Sequence, residues 1–339
     1  MGTQVGTGSL SFEKTPFIVG TASVVGTKEG QGPLKDLFDC IGEDDKFGQD
    51  NWEQAESSLQ QAALTLALGK SGHKTEDIRY LFAGDLLGQT IASSFGARSF
   101  EIPFFGLYGA CSTSGEGLSL AAMLVAAGYA DRVAAVTSSH FASAEKQFRF
   151  PLEYANQRPM CATWTVTGSG AFVVSKDREK QTLAAIAGIT TGKIVDYGIK
   201  DSMNMGAAMA PAAADLIYQH LTDFSRSPQE YDKIVTGDLG SVGQKILIEL
   251  LRKKGYDIEG QHEDCGMKIF EGQAQGTGAG GSGCGCAATT LSAYYLPKIQ
   301  SGEYKRILFV PTGALMSTVS FNEGETIPGI AHGVVLESV

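Results

Sequence analysis

The chain has no hydrophobic run long enough to cross a membrane. No apolar stretch in its 339 residues reaches the roughly 18 residues that a transmembrane helix needs. The first residues, MGTQVGTGSLSFEK, are polar and glycine-rich and do not form a charged-then-apolar secretion signal. Charged residues make up only 19% of the chain, against 43% hydrophobic residues. We therefore expect a soluble globular protein with a sizeable core.

The chain also lacks an excess of positive charge. Its formal net charge is −10 at pH 7 and its sequence pI is near 5.1. An acidic surface is repelled by nucleic acid and by anionic lipid. The composition thus argues against a nucleic-acid partner, and any association with a membrane would need a protein partner.

Cysteines are few and lack the spacing of a metal site. The six are scattered along a large chain, which indicates free thiols in a reducing, intracellular compartment. Cys284 and Cys286 are too close together for a CxxC zinc or redox pattern, and the chain has no second pair of that kind. We predict no metal site and no cofactor.

Cys111 lies between a short apolar run and a strong helical pattern. Residues 104–108 predict a short buried strand, and the hydroxyl residues at 112–114 predict the start of a helix. At a helix N-terminus the unpaired N–H groups and the macrodipole would lower the pKa of a thiol below its free value of about 8.5. Cys111 is therefore a candidate nucleophile. The alternative is a small buried side chain that fills space under a tight turn.

Apolar strands alternate with helices along the chain, which predicts an α/β fold. Besides the strand and helix around Cys111, the first half of the chain predicts a helix at 51–70, strands at 17–26, 78–83 and 133–137, and a glycine-broken strand within 162–175. The same order of elements then begins again in the second half, with a strand at 184–191, a helix at 211–222 and a strand at 232–235.

Landmarks in the two halves recur at matching places. Three pairs of identical residues are each separated by 174 positions: Gly128 and Gly302, Arg132 and Arg306, and Val136 and Val310. By the same offset, Cys111 corresponds to Gly285 in the second half. Asp85 and Asp238 follow matching strands, where we expect them to accept hydrogen bonds from turn N–H groups. The repeat predicts two thiolase-like halves, 1–178 with Cys111 and 179–339, related by a pseudo-twofold axis.

Five fragments in chain order carry a resemblance to a known family. They are GDLLGQ, LYGACSTSGEGL, RPMCATWTVTGSGA, TGDLGSVGQ and GGSGCGCAATTLS. Together they resemble the stage V sporulation protein AD family, whose thiolase-like fold is related to ketoacyl-ACP synthase III. The resemblance covers nearly the whole chain and implies a five-layered αβαβα architecture. The superfamily implies acyl transfer through a cysteine, whereas the sporulation family implies dipicolinic acid, a pyridine dicarboxylate that is loaded into the developing spore.

The chain departs from the enzyme pattern at two positions. Condensing enzymes of the ketoacyl synthase III kind pair the cysteine with a histidine and an asparagine, because a base must reach the thiol and donors must hold the thioester oxygen. Here Gly237 or Asp238 stands in place of the histidine, and Ser282 or Gly283 in place of the asparagine. The first hypothesis is a non-catalytic protein that binds dipicolinic acid for uptake into the spore. The alternative is an active acyltransferase that uses Cys111, with His140 or Asp238 as a substituted base, and a purely structural dimer scaffold is a third.

The resemblance also suggests which residues surround the ligand. Trp164 could stack on a flat ring, methionines could adapt to it, and hydroxyls could hold its carboxylates. The expected ligand-binding residues are Cys111, His140, Trp164, Met203, Asn204, Asp238, Ser282 and Gly283.

The sequence leaves two features of the binding site undecided. The cationic donors could be any of Arg149, Arg158, Lys193 and Lys268. If Asp238 faced the ligand, a calcium ion between them could offset the negative charges of Asp238 and of the ligand's carboxylates. Dipicolinic acid could therefore bind either free or as its calcium chelate. The remaining polar histidines, His73, His220 and His262, are expected at the solvated surface.

The resemblance implies two kinds of protein contact. We expect a homodimer in which the strand before Cys111 pairs with its twofold mate, because an exposed apolar edge strand is otherwise an aggregation hazard. We also expect contact with membrane subunits of the dipicolinate-loading machinery, so that the chain is peripheral to the inner spore membrane of a spore-forming bacterium.

Overall fold

The computed structural model describes residues 2–149 and 151–339. These residues form the strands β1 (Gly2–Val5), β2 (Ser9–Phe12), β3 (Phe17–Val25), β4 (Cys40–Ile41), β5 (Tyr80–Gly84), β6 (Phe104–Leu107), β7 (Arg132–Ser139), β8 (Trp164–Thr165), β9 (Gly168–Ser175), β10 (Ala184–Thr191), β11 (Lys233–Thr236), β12 (His262–Asp264), β13 (Gly281–Ser282), β14 (Arg306–Val310), β15 (Thr312–Ala314) and β16 (Gly329–Glu337). They also form the helices α1 (Trp52–Ser71), α2 (Ile91–Ala97), α3 (Thr113–Ala126), α4 (Phe141–Phe148), α5 (Met205–Asp223), α6 (Gly240–Lys253), α7 (Cys265–Ile269), α8 (Cys284–Thr290), α9 (Leu296–Gln300) and α10 (Thr318–Asn322). The predicted α/β class is confirmed.

The strand order repeats between the two halves of the chain. One half gives β3-β9-β7-β5-β6 and the other gives β10-β16-β14-β11-β12. In each half the first two pairings are antiparallel and the last two parallel. The halves join where β10 meets β3 over two residue pairs. This matched order is the duplication that the sequence repeat predicted.

Helices form layers on both sides of each half-sheet. On β7, Val133 and Ala135 belong to the same apolar cluster as residues of α3, whereas Ala134 belongs to the cluster that contains residues of α1. On β14, Phe309 joins the α3 cluster and Leu308 joins the cluster around α5. Because side chains alternate between the two faces of a strand, α3 and α8 lie between the half-sheets, with α1 and α5 outside them. The result is the predicted αβαβα arrangement.

Capping explains where two of the long helices begin. The Asn51 side chain accepts the N–H of Gln54 at the start of α1, and Gly72 closes that helix with a φ of +73°. At α5, Asn204 accepts the N–H of Ala207, so the helix starts at Met205. The prediction that it starts at Pro211 is wrong: Pro211 lies inside the helix, where it removes one internal hydrogen bond without ending it.

Strand β6, just before Cys111, lies at the end of the strand order and is exposed. It pairs with β5 along one side only, and the side chain of Phe105 is 50% exposed. In the single chain this strand is not buried, and its open edge is the one that the sequence analysis expects to pair with a second copy.

Two histidines that were expected at the surface are buried. His220 is hydrogen-bonded to Thr190 and to the hydroxyl of Tyr231, at 2.6 Å each. His262 is likewise buried and is bonded to Thr236 at 3.0 Å. The expectation was wrong for both, since internal hydroxyl partners satisfy their ring nitrogens. Within the described residues, no helix combines the length and apolar character that crossing a membrane requires.

Candidate functional site

A cavity opens where the two halves meet, near the carboxyl ends of the parallel strands β5, β6 and β7. Cys111 and Leu86 line it from the first half, and Ser282 lines it from the second. The space inside it that is open to the centre of a water molecule is about 50 Å³, and the cavity opens on solvent. Crevices at the carboxyl ends of parallel strands are the usual ligand sites of α/β sheets.

Cys111 lies in a tightly bonded turn between β6 and α3. Ala110 adopts a φ of +48°, which is uncommon for a residue with a side chain. Its carbonyl accepts hydrogen bonds from Thr113 Oγ1 at 2.6 Å and from Cys284 Sγ at 3.0 Å. The hydroxyl of Ser112 donates to the carbonyl of Gly109 at 2.7 Å and accepts no helical N–H, so the expected hydroxyl cap is absent at this residue. The turn holds the thiol in one place at the inner end of the cavity.

Ser282 and Asp238 stand behind the thiol. The Cys111 Sγ lies 4.0 Å from Ser282 Oγ. Ser282 Oγ donates to Asp238 Oδ2 at 2.9 Å, and Asp238 also accepts from Gly283 N at 3.1 Å and from Thr312 Oγ1 at 2.7 Å. A hydroxyl has one proton, so Ser282 has none left to donate to a ligand.

The electrostatics of this corner disfavour a thiolate. Burial, followed by the charge of Asp238, raises the pKa of the Cys111 thiol well above its usual value. Burial also raises the pKa of Asp238, although the bonds from Thr312 and Ser282 oppose that shift. The expectation of a lowered cysteine pKa at the helix start is therefore wrong: the cost of burial and a facing carboxyl group outweigh the helix dipole.

Two arginines line the opposite, open side of the cavity. Arg149 and Arg158 line both the cavity and the outer groove that continues from it. Both bond to the fully buried carboxylate of Glu145 on α4, Arg149 through Nε at 2.7 Å and Nη2 at 2.6 Å, and Arg158 through Nη1 at 2.9 Å. Burial opposes ionisation of Glu145, but the two guanidinium groups lower the pKa of its carboxyl overall. Two guanidinium charges against one carboxylate leave this side of the cavity positive.

The walls between these two ends are mostly apolar. Thioether and hydrocarbon side chains dominate: Leu86, Ala144, Phe148, Met203, Met205, Met209 and Met316. Methionines adapt to irregular shapes and contact aromatic rings favourably. The cavity therefore has a positive outer side, apolar walls and an inner end with a protonated thiol.

The structure brings some of the expected residues together and not others. Cys111, Met203 and Ser282 line the cavity, and Asp238 and Gly283 lie directly behind Ser282. Of the four cationic candidates, Arg149 and Arg158 line the cavity, whereas Lys193 pairs with Asp215 and Lys268 with Glu263.

His140 is buried outside the cavity and caps α4. Its Nδ1 accepts the N–H of Ala142 at 3.1 Å, and its Nε2 donates to the carbonyl of Asp45 at 2.6 Å. Burial lowers the pKa of His140, consistent with a neutral ring. This residue positions the helix that carries Glu145 and Phe148 and does not contact the thiol region.

Trp164 and Asn204 are also outside the lining. The indole of Trp164 stacks on Phe141 with ring centroids 3.9 Å apart, and Lys28 Nζ lies 4.3 Å from the indole centroid. Asn204 caps α5 between Met203 and Met205, which do line the cavity. Both residues support the walls from behind.

Sequence reasoning missed the carboxylate that organises the open side. Glu145 and Arg149 are four residues apart, the spacing at which opposite charges meet on a helix, and that signal was present in the sequence. Nothing local in the sequence links Arg158 to the same carboxylate. Within the described residues, no group of three or more metal-ligating side chains is placed to hold an ion.

Comparisons with known proteins identify the family of the chain. A family model described as stage V sporulation protein AD matches residues 6–337. The stage V sporulation protein AD of Bacillus subtilis (strain 168) is 44% identical over 326 residues, which cover 96% of this chain and 95% of the relative.

Two solved structures with a similar fold match nearly the whole chain. The 3-oxoacyl-(acyl-carrier-protein) synthase III of Aquifex aeolicus VF5 matches with a TM-score of 0.57 at 13% identity, over 95% of this chain and 99% of that one. A cerulenin-bound OleA of Xanthomonas campestris matches with a TM-score of 0.58 at 14% identity, over 96% of this chain and 97% of that one. At these identities the likeness shows the fold alone, and it confirms the predicted thiolase-like architecture.

Proposed function

The chain belongs to the stage V sporulation protein AD family, and from that membership we propose that it binds dipicolinic acid without covalent chemistry and serves its uptake into the developing spore. The single observation that carries the proposal is the pair of guanidinium groups, Arg149 and Arg158, on the open side of a cavity with apolar walls. A dicarboxylate needs such donors, because charge-assisted bonds from arginine are the strong, directional way to hold a carboxylate.

The shape of dipicolinate suits the polarity of the cavity. Its two carboxylates and its ring nitrogen share one edge of the molecule, and the opposite edge carries only C–H groups. We propose that the carboxylate edge faces Arg149 and Arg158 and that the C–H edge points toward Cys111. The methionines at 203, 205 and 209 would then contact the ring faces.

The inner end of the cavity supports this orientation and not the reverse. Ser282 donates its one proton to Asp238, and the Cys111 thiol stays protonated. A carboxylate placed there would meet the weak S–H donor of Cys111 and would have the Asp238 carboxyl group behind it. The calcium chelate of the acid is a second form in which the ligand could bind, since calcium would offset the charge of its carboxylates.

The alternative is an acyltransferase that uses Cys111 as its acyl acceptor. Its support is the retained cysteine at the start of α3, in a fold shared with condensing enzymes. Its difficulty is removal of the thiol proton, because burial and the charge of Asp238 raise the pKa of the thiol. Of the two expected substitute bases, His140 is bonded to Asp45 outside the cavity, and Asp238 already accepts hydrogen bonds from Ser282, Gly283 and Thr312. We therefore favour the binding protein.

Localisation and assembly are proposed from membership of the family. We propose a homodimer that is held at the inner spore membrane by membrane proteins and not by lipid. The net charge of −10 supports this view, because anionic lipid would repel the chain.

Calorimetric titration of dipicolinate into the wild type and into Arg149→Gln tests the binding proposal. Loss of one guanidinium group should weaken dipicolinate binding about tenfold or more, which corresponds to about 1.4 kcal/mol of binding free energy. The matched control is Lys193→Gln, which also removes one positive charge, from a lysine that pairs with Asp215 outside the cavity. Its affinity should stay within about twofold of the wild type. No measurable binding to the wild type, or equal losses in both variants, would contradict the proposal.

A further inference from the structure

Two segments form a rim beside the mouth of the cavity. Residues 194–201 and 318–329 are joined by hydrogen bonds in both directions between Val195 and Gly329, at 2.8 and 2.9 Å, and by one from Ile327 N to the carbonyl of Ile199 at 2.7 Å. Phe321 of this rim lines the outer groove, and the same groove contains Arg149 and Arg158 of the cavity. The Phe321 end of the rim therefore borders the groove that leads to the cavity.

The rim exposes four large apolar side chains. Ile194 is 66% exposed, Tyr197 62%, Val319 65% and Phe321 40%. A single exposed apolar residue is ordinary, but four on two cross-bonded segments beside a cavity mouth are typical of a contact surface.

The same two segments carry exposed acids without cationic partners. Asp196, Asp201, Glu323 and Glu325 are exposed, and none of them forms an ion pair with another described residue. Lys200, which lies on the first of these segments, donates to the carbonyl of Gly324 at 2.7 Å. Four carboxylates against this one ammonium group leave the two segments with a net negative charge among their apolar side chains.

We infer that this acidic rim, made of Ile194, Asp196, Tyr197, Asp201, Val319, Phe321, Glu323 and Glu325, docks a partner protein segment in which lysine or arginine alternates with apolar side chains. Charge complementarity selects this occupant. A second copy of the chain would bring like charges together across a twofold axis, and an anionic membrane would be repelled.

The inference rests on the proposed function in one respect, namely that a partner on the rim would stand where dipicolinate enters or leaves. Segments rich in lysine and arginine are typical of the cytoplasmic loops of membrane proteins. A docked segment of this kind would bring a membrane protein to the cavity mouth.

Peptide binding to the full chain tests the inference. The probe is a fluorescein-labelled 14-residue peptide of alternating lysine and leucine, titrated by fluorescence anisotropy at physiological salt. Glu323→Lys combined with Glu325→Lys should weaken binding at least tenfold. The matched control is Asp36→Lys with Glu43→Lys, which makes the same charge change on exposed acids of another loop and should stay within twofold of the wild type.

An apolar variant separates docking from general charge attraction. Tyr197→Ser with Val319→Ser should weaken binding about fivefold at both 0.15 M and 1 M salt, because salt screens only the charged part. Equal weakening by the rim and control charge variants would overturn the inference. The inference is also overturned if the wild type is a dimer and Glu323→Lys with Glu325→Lys is a monomer in analytical ultracentrifugation, because the rim would then be a contact between copies.

A parallel dipicolinate titration keeps the two proposals distinct. Glu323→Lys with Glu325→Lys should bind dipicolinate within twofold of the wild type, since neither residue lines the cavity. If the wild type does not bind dipicolinate, the proposed function fails while the peptide result still decides the rim.

Discussion

At the scale of single residues, the Cys111 thiol is defined by its neighbours. Its Sγ lies 4.0 Å from the hydroxyl of Ser282, whose proton is committed to Asp238. Burial and the facing carboxyl group raise the pKa of the thiol, so formation of the thiolate is costly near neutral pH. The residue contributes shape and a weak donor to the inner end of the cavity.

Cys111→Ala should fold, because alanine fits the space of a small buried side chain. We expect dipicolinate to bind this variant about two- to fivefold more weakly through lost contact. We also expect wild-type protein incubated with acyl-CoA to show no acyl mass on the Cys111 peptide by mass spectrometry. If the wild type is acylated stoichiometrically and turns over, and Cys111→Ala does neither, the protein is an acyltransferase.

A second residue-scale prediction concerns the buried acid Glu56 on α1. Burial, followed by the charge of Asp85, raises the pKa of Glu56 to about 8, although Ser138 and Ser143 donate to it. Between its usual value of 4.5 and about 8 the folded state holds a proton that the unfolded state has lost, so stability falls as pH rises through that window.

Glu56→Gln should therefore reduce the fall in melting temperature between pH 5 and pH 8. Glu29, whose pKa burial also raises to about 8, is unchanged in this variant and should leave part of the slope. Thermal unfolding by circular dichroism across this range measures the difference. An unchanged slope would mean that the carboxyl group of Glu56 does not carry the pH dependence.

At the scale of elements, the start of α8 depends on a glycine. Gly283 has a φ of +103°, and a Cβ there would lie 2.5 Å from Ser139 Oγ. Its N–H also donates to Asp238, so any movement at this position disturbs the inner end of the cavity.

Gly283→Ala should cost more than about 2 kcal/mol of unfolding free energy, because the strain of a positive φ and a steric clash add. Gly302→Ala is the matched control: its φ is +77°, and a Cβ there would meet no atom within 4 Å. We expect it to lose only about 1 kcal/mol. Urea unfolding of both variants decides whether the clash matters, and equal losses would show that it does not.

The sequence predicted most elements because their periodicity is local, and it predicted part of the site. Helix α1 and strands β3 and β10 follow directly from apolar spacing and end residues. The burial of His220 and His262 was missed because their hydroxyl partners, Thr190 and Thr236, reach them only in the folded chain. The shared carboxylate of Glu145 was missed because Arg158 reaches it only in the folded chain.

At the scale of the whole molecule, each half of the chain supplies different residues of the cavity. The first half supplies Cys111, Arg149 and Arg158, and the second supplies Ser282 with Asp238 behind it. The cavity exists only where the halves meet. Strand β6, at the end of the strand order, leaves Phe104 and Phe105 exposed and suits the proposed pairing with a second copy.

Phe105→Lys should shift the protein toward monomer or insolubility, because a charge would replace an apolar contact of the proposed interface. Analytical ultracentrifugation measures the change in association. The control is Phe95→Lys, an equally exposed phenylalanine on α2. A dimer of unchanged affinity in Phe105→Lys would place the interface elsewhere.

The central claim is that the cavity binds dipicolinate through its carboxylate edge. A crystal structure of the protein grown with dipicolinate tests it most directly. We predict the ligand in the Cys111 cavity with both carboxylates toward Arg149 and Arg158, its C–H edge toward Cys111 and no bond to the sulfur. Dipicolinate outside this cavity, or with its carboxylates at Ser282 and away from the arginines, would contradict the account.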